Sequence, residues 1–322
     1  MTQDARAGTQ RQGGGGGGSG GVPLLSIVLP IVLVVAIFGL NALVLILRNP
    51  ASRLGPHYYV SLGNSISFGY QPDDNITQGF TDDLYADLRQ ANVTDLLNYS
   101  CGGESSVTMI QGGCQFRFAR HVQYTGPQLD AAVSFLRAHV GQVNPITLEI
   151  GANDVLPDFN EGSCSASSGA DADLATLDTN LTQTILPRLL DAIKTPGGHR
   201  GADLVLLNYY NPFAKECPNS QDFIHTLNDH LLTDAAQFQV PVVDVYSAFG
   251  GDANSAANVC TLTWMCSTYH DVHPTTQGYR VIATAVEQVL GYPVGQPANP
   301  LQAAPLPAGY APADVRRTAA VV

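Results

Sequence analysis

Short apolar runs alternate with longer segments of helical spacing through the middle of the chain. His57 to Leu62 is a compact apolar and aromatic run closed by Gly63, which predicts a buried strand entering a turn. Segments 145–150, 202–207 and 240–244 repeat that pattern. Between them, Phe80, Leu84 and Leu88 mark a helix over 80–91, and further helices are predicted near 126–140, 171–193 and 220–238. The last helix is predicted from about Thr275 to Leu290, with Tyr279, Ile282, Val286 and Val289 on one face. Strands alternating with helices predict an α/β fold whose mainly parallel sheet is covered on both faces.

The flanks differ from this middle. Residues 1–21, with the glycine run Gly13 to Gly18, have little with which to form a core and read as a disordered Gly-rich tail. Val22 to Leu47 is a stretch of 26 residues without a charge. A bilayer-spanning helix needs about 20 such residues, so 22–47 is read as one transmembrane helix, a retained anchor rather than a cleaved signal peptide. A buried core helix is the alternative, but such helices rarely run this long without a charge. Residues 48–55 read as a linker, 56–292 as a single domain, and the proline- and alanine-rich 293–322 as a disordered tail.

Charge and cysteine content narrow the setting. The net charge of −12 disfavours nucleic acid and anionic surfaces as partners. Arg6 and Arg11 on one side of the apolar stretch balance Arg48 and Arg53 on the other, so basic residues do not orient it. All six cysteines (Cys101, Cys114, Cys164, Cys217, Cys260, Cys266) follow it, without a Cys-x-x-Cys, which suits disulfides in an oxidising compartment. Free buried thiols are the competing reading. Short loops favour Cys101 with Cys114 and Cys260 with Cys266, though spacing does not fix the connectivity. The expected location is a cell membrane, single-pass, with the domain on the extracytoplasmic side.

In open parallel sheets, ligands bind beyond the carboxyl ends of the strands. Three segments there carry chemistry: Gly63-Asn64-Ser65, Gly151-Ala152-Asn153-Asp154, and His270-Asp271-Val272-His273-Pro274. Together they offer a nucleophile, an amide donor, and a base with a nearby carboxylate. Each alone also reads as an ordinary turn or helix cap. His270, Asp271 and His273 could be read as zinc ligands, but they crowd together and lack an evident distant partner. The other histidines (His57, His121, His139, His199, His225, His230) read as surface or packing residues.

These residues resemble the sequence blocks of the SGNH (GDSL-like) hydrolases, in the right order, over about 58–290. Ser65 stands where that family has its nucleophile. Gly103, in Asn98-Tyr-Ser-Cys-Gly-Gly103-Glu, matches the block glycine, Asn153 the block asparagine, and His273 the catalytic histidine. The resemblance implies a three-layer α/β/α, flavodoxin-like SGNH hydrolase fold. It also implies a serine esterase or lipase acting on small-molecule, lipid or acylated-glycan esters, with no cofactor and no metal. His273 would be the general base, and the Ser65 N–H, Gly103 N–H and Asn153 amide would form the oxyanion hole. An acyltransferase using the same site is the alternative, and a non-catalytic membrane-tethered binding module is another. Two positions depart from the family pattern. Asn64 replaces the usual Asp, and His270 stands where the acid usually lies, leaving Asp271 or a backbone carbonyl to orient His273.

Overall fold

The computed structural model describes residues 57–292. The expected tails 1–21 and 293–322, the anchor 22–47 and the linker 48–55 lie outside the described residues. Among the described residues, no helix is long and apolar enough to cross a membrane.

The described residues open with β1 (His57–Gly63), the single turn α1 (Ser65–Phe68), α2 (Phe80–Leu88) and β2 (Val93–Asn98). It continues through α3 (Ser106–Gln111), α4 (Gln128–Ala138), β3 (Val143–Glu149) and the turn α5 (Ala152–Val155). Then come α6 (Ala170–Asn180), α7 (Leu186–Ala192), β4 (Leu204–Leu207), α8 (Ser220–Gln237) and β5 (Val242–Val243). The short α9 (Val245–Ala248), α10 (Gly251–Leu262) and α11 (Thr276–Leu290) complete the order.

These five strands pair in parallel in the order β2-β1-β3-β4-β5, and a separate antiparallel ribbon pairs Phe159–Asn160 with Ser165–Ala166. This is the flavodoxin-like order, with its direction reversing between β1 and β3. The crossover to β2 and the one to β3 run in opposite directions along the sheet, which by the right-handed rule separates α2 and α4 onto opposite faces. Accordingly α2 packs with α11, which also contacts α9 and α10, whereas α4 packs with α3 and α7, and α6 with α8. Burial on both faces leaves every residue of β3 buried.

Most predicted elements are present, and their departures have local causes. The strand β2 was not predicted: it is an edge strand pairing only with β1, and its exposed Thr94 and Asp95 break the apolar run. The helix predicted over 171–193 is interrupted by a π turn at Leu181–Ile185. Pro187 follows it, lacking an N–H and crowding the preceding turn, which is where helices widen. On α11, Tyr279, Ile282 and Val286 are buried, whereas Val289 is 41% exposed. Thr275 caps that helix through the Gly278 N–H, and Gly291 closes it in the left-handed conformation.

All six cysteines are paired: Cys101–Cys114 and Cys260–Cys266, as the short loops suggested, and Cys164–Cys217. The last bridge sits with Phe159, Phe213, Val259 and Met265 in a small second core.

Candidate active site

The site begins where β1 and β3 run closest. Gly63 has φ +141°, and a Cβ there would lie 2.0 Å from the Glu149 carbonyl oxygen, so only glycine lets β1 end against β3. Gln128, at the start of α4, seals this crossing: its Oε1 accepts the Gly63 N–H at 2.7 Å and its Nε2 donates to Gly63 O at 3.0 Å.

The next residue, Asn64, caps α1. Its Oδ1 accepts the Ile66 N–H at 2.9 Å, and its Nδ2 donates to Glu149 Oε1 at 2.9 Å and to the Tyr209 hydroxyl at 3.2 Å. The Ser67 N–H donates to the other Glu149 oxygen at 3.3 Å. The Ile66 and Ser67 N–H groups are thus taken, and the Ser65 N–H is the other donor at the start of this turn. Asn64 is thus a structural replacement for an acid, holding the turn by hydrogen bonds rather than by charge.

Gly103 lies in the turn after β2, with φ +75°. The Cys101 N–H donates to Gly63 O at 3.0 Å and the Glu104 N–H to Cys101 O at 3.1 Å, which fixes that turn beside the end of β1. Asn153, in α5 after β3, donates from Nδ2 to Glu104 O at 2.9 Å, tying its amide to the Gly103 turn. Its neighbour Asp154 serves another purpose. Its carboxylate accepts the Ser106 N–H at 2.9 Å and the Ser106 hydroxyl at 2.5 Å, anchoring the start of α3.

His273 is nearly buried, at 7% exposure. Its Nε2 lies 2.7 Å from Ser65 Oγ and its Nδ1 lies 2.7 Å from Asp271 Oδ1, which also accepts the His273 N–H at 2.9 Å. A carboxylate only accepts, so the ring proton belongs on Nδ1 and the Nε2 lone pair faces the Ser65 hydroxyl. Burial pushes the Asp271 carboxyl up, but hydrogen bonds and charge from His273 outweigh it and hold Asp271 below the usual carboxylate range. Tyr70 packs edge-on to the imidazole, 4.6 Å between ring centres, and fixes its plane.

Asp271 therefore reaches His273 from two residues back, and a backbone carbonyl is not needed. His270 points elsewhere: its Nδ1 lies 3.1 Å from Met265 O, and its Nε2 faces Glu161 at 3.1 Å and Glu216 at 3.7 Å. The zinc reading of His270, Asp271 and His273 fails on this geometry. Ser65, Asn153 and His273 instead line one small cavity together with Tyr209, Tyr210 and Leu227.

Glu149 and Gln128, both 1% exposed, are the residues that the sequence reading missed. The signal for Glu149 was a lone carboxylate inside the run Ile146 to Ile150, which is apolar but for Thr147. Burial raises the Glu149 carboxyl to about 7, even though hydrogen bonds from Tyr209, Asn64 and Ser67 pull the other way.

The GDSL-like Lipase/Acylhydrolase family model matches residues 61–281. No curated protein matches the sequence. Among solved structures, the acetylxylan esterase Axe2 from Geobacillus stearothermophilus is similar at 14% identity and a TM-score of 0.50, covering 76% of this chain and 98% of its own. The lipase Lip_vut3 from a goat rumen metagenome is similar at 18% identity and a TM-score of 0.50, covering 73% of this chain and 98% of its own. At these identities the likeness is one of fold.

The raised Glu149 carboxyl generates a test. Its ordinary value is 4.5, so between about pH 4.5 and 7 the folded chain holds a proton that the unfolded chain has released. Stability from this group is present on the acid side and falls as pH rises toward 7. Glu149→Gln removes the titration, so the wild type is expected to lose up to about 3 kcal/mol relative to the variant across that window. Urea unfolding of both proteins at pH 5 and pH 8 measures this, and parallel losses in the two would contradict it.

Proposed function

Because the chain belongs to the GDSL-like lipase/acylhydrolase family, we propose that it hydrolyses carboxylic esters through an acyl-enzyme formed on Ser65. The observation that carries this reading is the relay from Ser65 Oγ to His273 Nε2 and from His273 Nδ1 to Asp271, each at 2.7 Å.

A serine hydroxyl is a weak nucleophile until a base takes its proton as the new bond forms. In this reading His273 Nε2 accepts that proton while Ser65 Oγ bonds to the ester carbonyl carbon. Asp271 holds the ring in the required tautomer and stabilises the imidazolium. The carbonyl oxygen becomes an oxyanion facing the Ser65 N–H, the Gly103 N–H and Asn153. One Asn153 N–H stays on Glu104 O and orients the amide, and the second is the donor available to substrate. Collapse breaks the bond to the alcohol oxygen, which takes the proton from His273. Water then repeats the sequence on the acyl-enzyme, releasing the acid and restoring Ser65.

We further propose that Val22–Leu47 retains the enzyme in a membrane, with residues 48–322 on the extracytoplasmic side. The 26 uncharged residues support the first statement. The three disulfides support the second, since such bonds persist in oxidising compartments.

Two experiments check these readings. A fluorophosphonate probe is expected to label the wild type and not Ser65→Ala. Asn153→Ala should still be labelled while losing about 100- to 1,000-fold in kcat on p-nitrophenyl acetate. Absence of labelling in folded wild type would sink the hydrolase mechanism. For the anchor, the full chain should stay in the membrane pellet after an alkaline carbonate wash and be cut by protease added to intact cells; release into the wash, or protection from the protease, would overturn it.

A further inference from the structure

The cavity at the reacting hydroxyl has an unusual combination of size and rigidity. It is lined by Ser65, Asn153 and His273 together with Leu156, Tyr210, Pro212, Ile224, Leu227 and Val272. Apart from Asn64 and the tyrosine hydroxyls the rest of the lining is apolar, which suits a hydrocarbon group beside Ser65. The volume is about 20 Å³. A cavity of about 10–15 Å³ holds a single water-sized group, so this one has room for a short acyl end.

A small cavity limits a substrate only when its walls are fixed, and these are. Ile224 and Leu227 lie on α8 and are each 1% exposed, packed into the interior. Asn228, one residue on, accepts the Tyr209 N–H at 2.9 Å and donates to Tyr209 O at 2.8 Å, clamping α8 to the segment after β4. The Tyr210 hydroxyl donates to Val272 O at 2.7 Å, and its ring stacks on Phe249 with centres 4.3 Å apart. Widening the cavity would separate hydrogen-bonded, buried groups from their partners, which is costly.

We propose that this cavity is the acyl-binding subsite, that Ile224 and Leu227 set its depth, and that the enzyme is specific for esters of short acyl groups of about two to three carbons. The proposal rests on the ester-hydrolase reading of Ser65. It concerns only the acyl side: the alcohol departs toward His273, and its identity is not restricted by this wall.

The experiment is a series of p-nitrophenyl esters from acetyl to octanoyl, assayed with wild type, Leu227→Ala and the milder Ile224→Val, each checked for folding by circular dichroism and for site competence by fluorophosphonate labelling. The wild type is expected to prefer acetyl or propionyl and to lose about tenfold or more in kcat/KM for each methylene beyond that limit, at least over the first two. Leu227→Ala should move the preference to longer chains. Ile224→Val should move it by about one carbon if Leu227→Ala does not fold. A labelled wild type with equal or greater activity on octanoyl than on acetyl esters overturns the subsite while leaving the hydrolase standing. A preference for short esters that neither folded variant shifts overturns the role of these two residues. Labelled protein that cleaves no ester overturns the ester reading and the subsite with it.

Discussion

The close approach of β1 and β3 at Gly63 is the constraint on which the site depends. With no Cβ at that position the two strand ends nearly touch, and the chain must turn immediately, delivering Ser65 to the point where the sheet order reverses. The crossing buries polar groups that would be costly if unpaired, and the fold pairs them with each other. Gln128 takes both backbone groups of Gly63, and Glu149 takes the Asn64 amide and the Ser67 N–H. Gln128 also donates to the Glu104 carboxylate at 2.9 Å, so the Gly63 crossing and the Gly103 turn share one network. Each member holds a neighbour, and such networks rigidify what they enclose.

The remaining parts of the site are braced by covalent links. Cys101–Cys114 closes the turn that carries Gly103, and Cys260–Cys266 lies just before the loop bearing Asp271 and His273. Two of the four site segments are therefore braced by a disulfide, while the one after β1 is held by buried hydrogen bonds and Asn153, after β3, by its bond to Glu104 O. Positioning of this kind matters because a proton relay tolerates little misplacement. The acid beneath the turn has a different character from the usual one: Asn64 is neutral, and the carboxyl nearby is Glu149, from the next strand.

Much of this was legible in the sequence because it is governed by local pattern. Apolar runs gave the buried strands β1, β3, β4 and β5, and helical spacing gave α2, α4, α8 and α11. Ser65, Gly103, Asn153 and His273 were identifiable by their order and flanking residues, and the structure brings them to one edge of the sheet. What was not legible depends on contacts between distant segments. The strand β2 is half exposed and shows no run, the Leu181–Ile185 widening follows from the backbone accommodating Pro187, and the partnership of Glu149 with Asn64 spans 85 positions. Asp271 is the instructive middle case. Its spacing from His273 was irregular, and only the geometry of the loop shows that two residues suffice to bring the carboxylate to Nδ1.

Ser65 and His273 are claimed to act as one unit, the histidine being useful only through the serine it deprotonates. Steady-state kcat/KM on p-nitrophenyl acetate for Ser65→Ala, His273→Ala and the double variant tests that claim most directly. The double variant should be no slower than the more damaged single variant, because removing either partner already abolishes the relay. Losses that multiply across the two positions would show that the residues contribute independently, contradicting the mechanism.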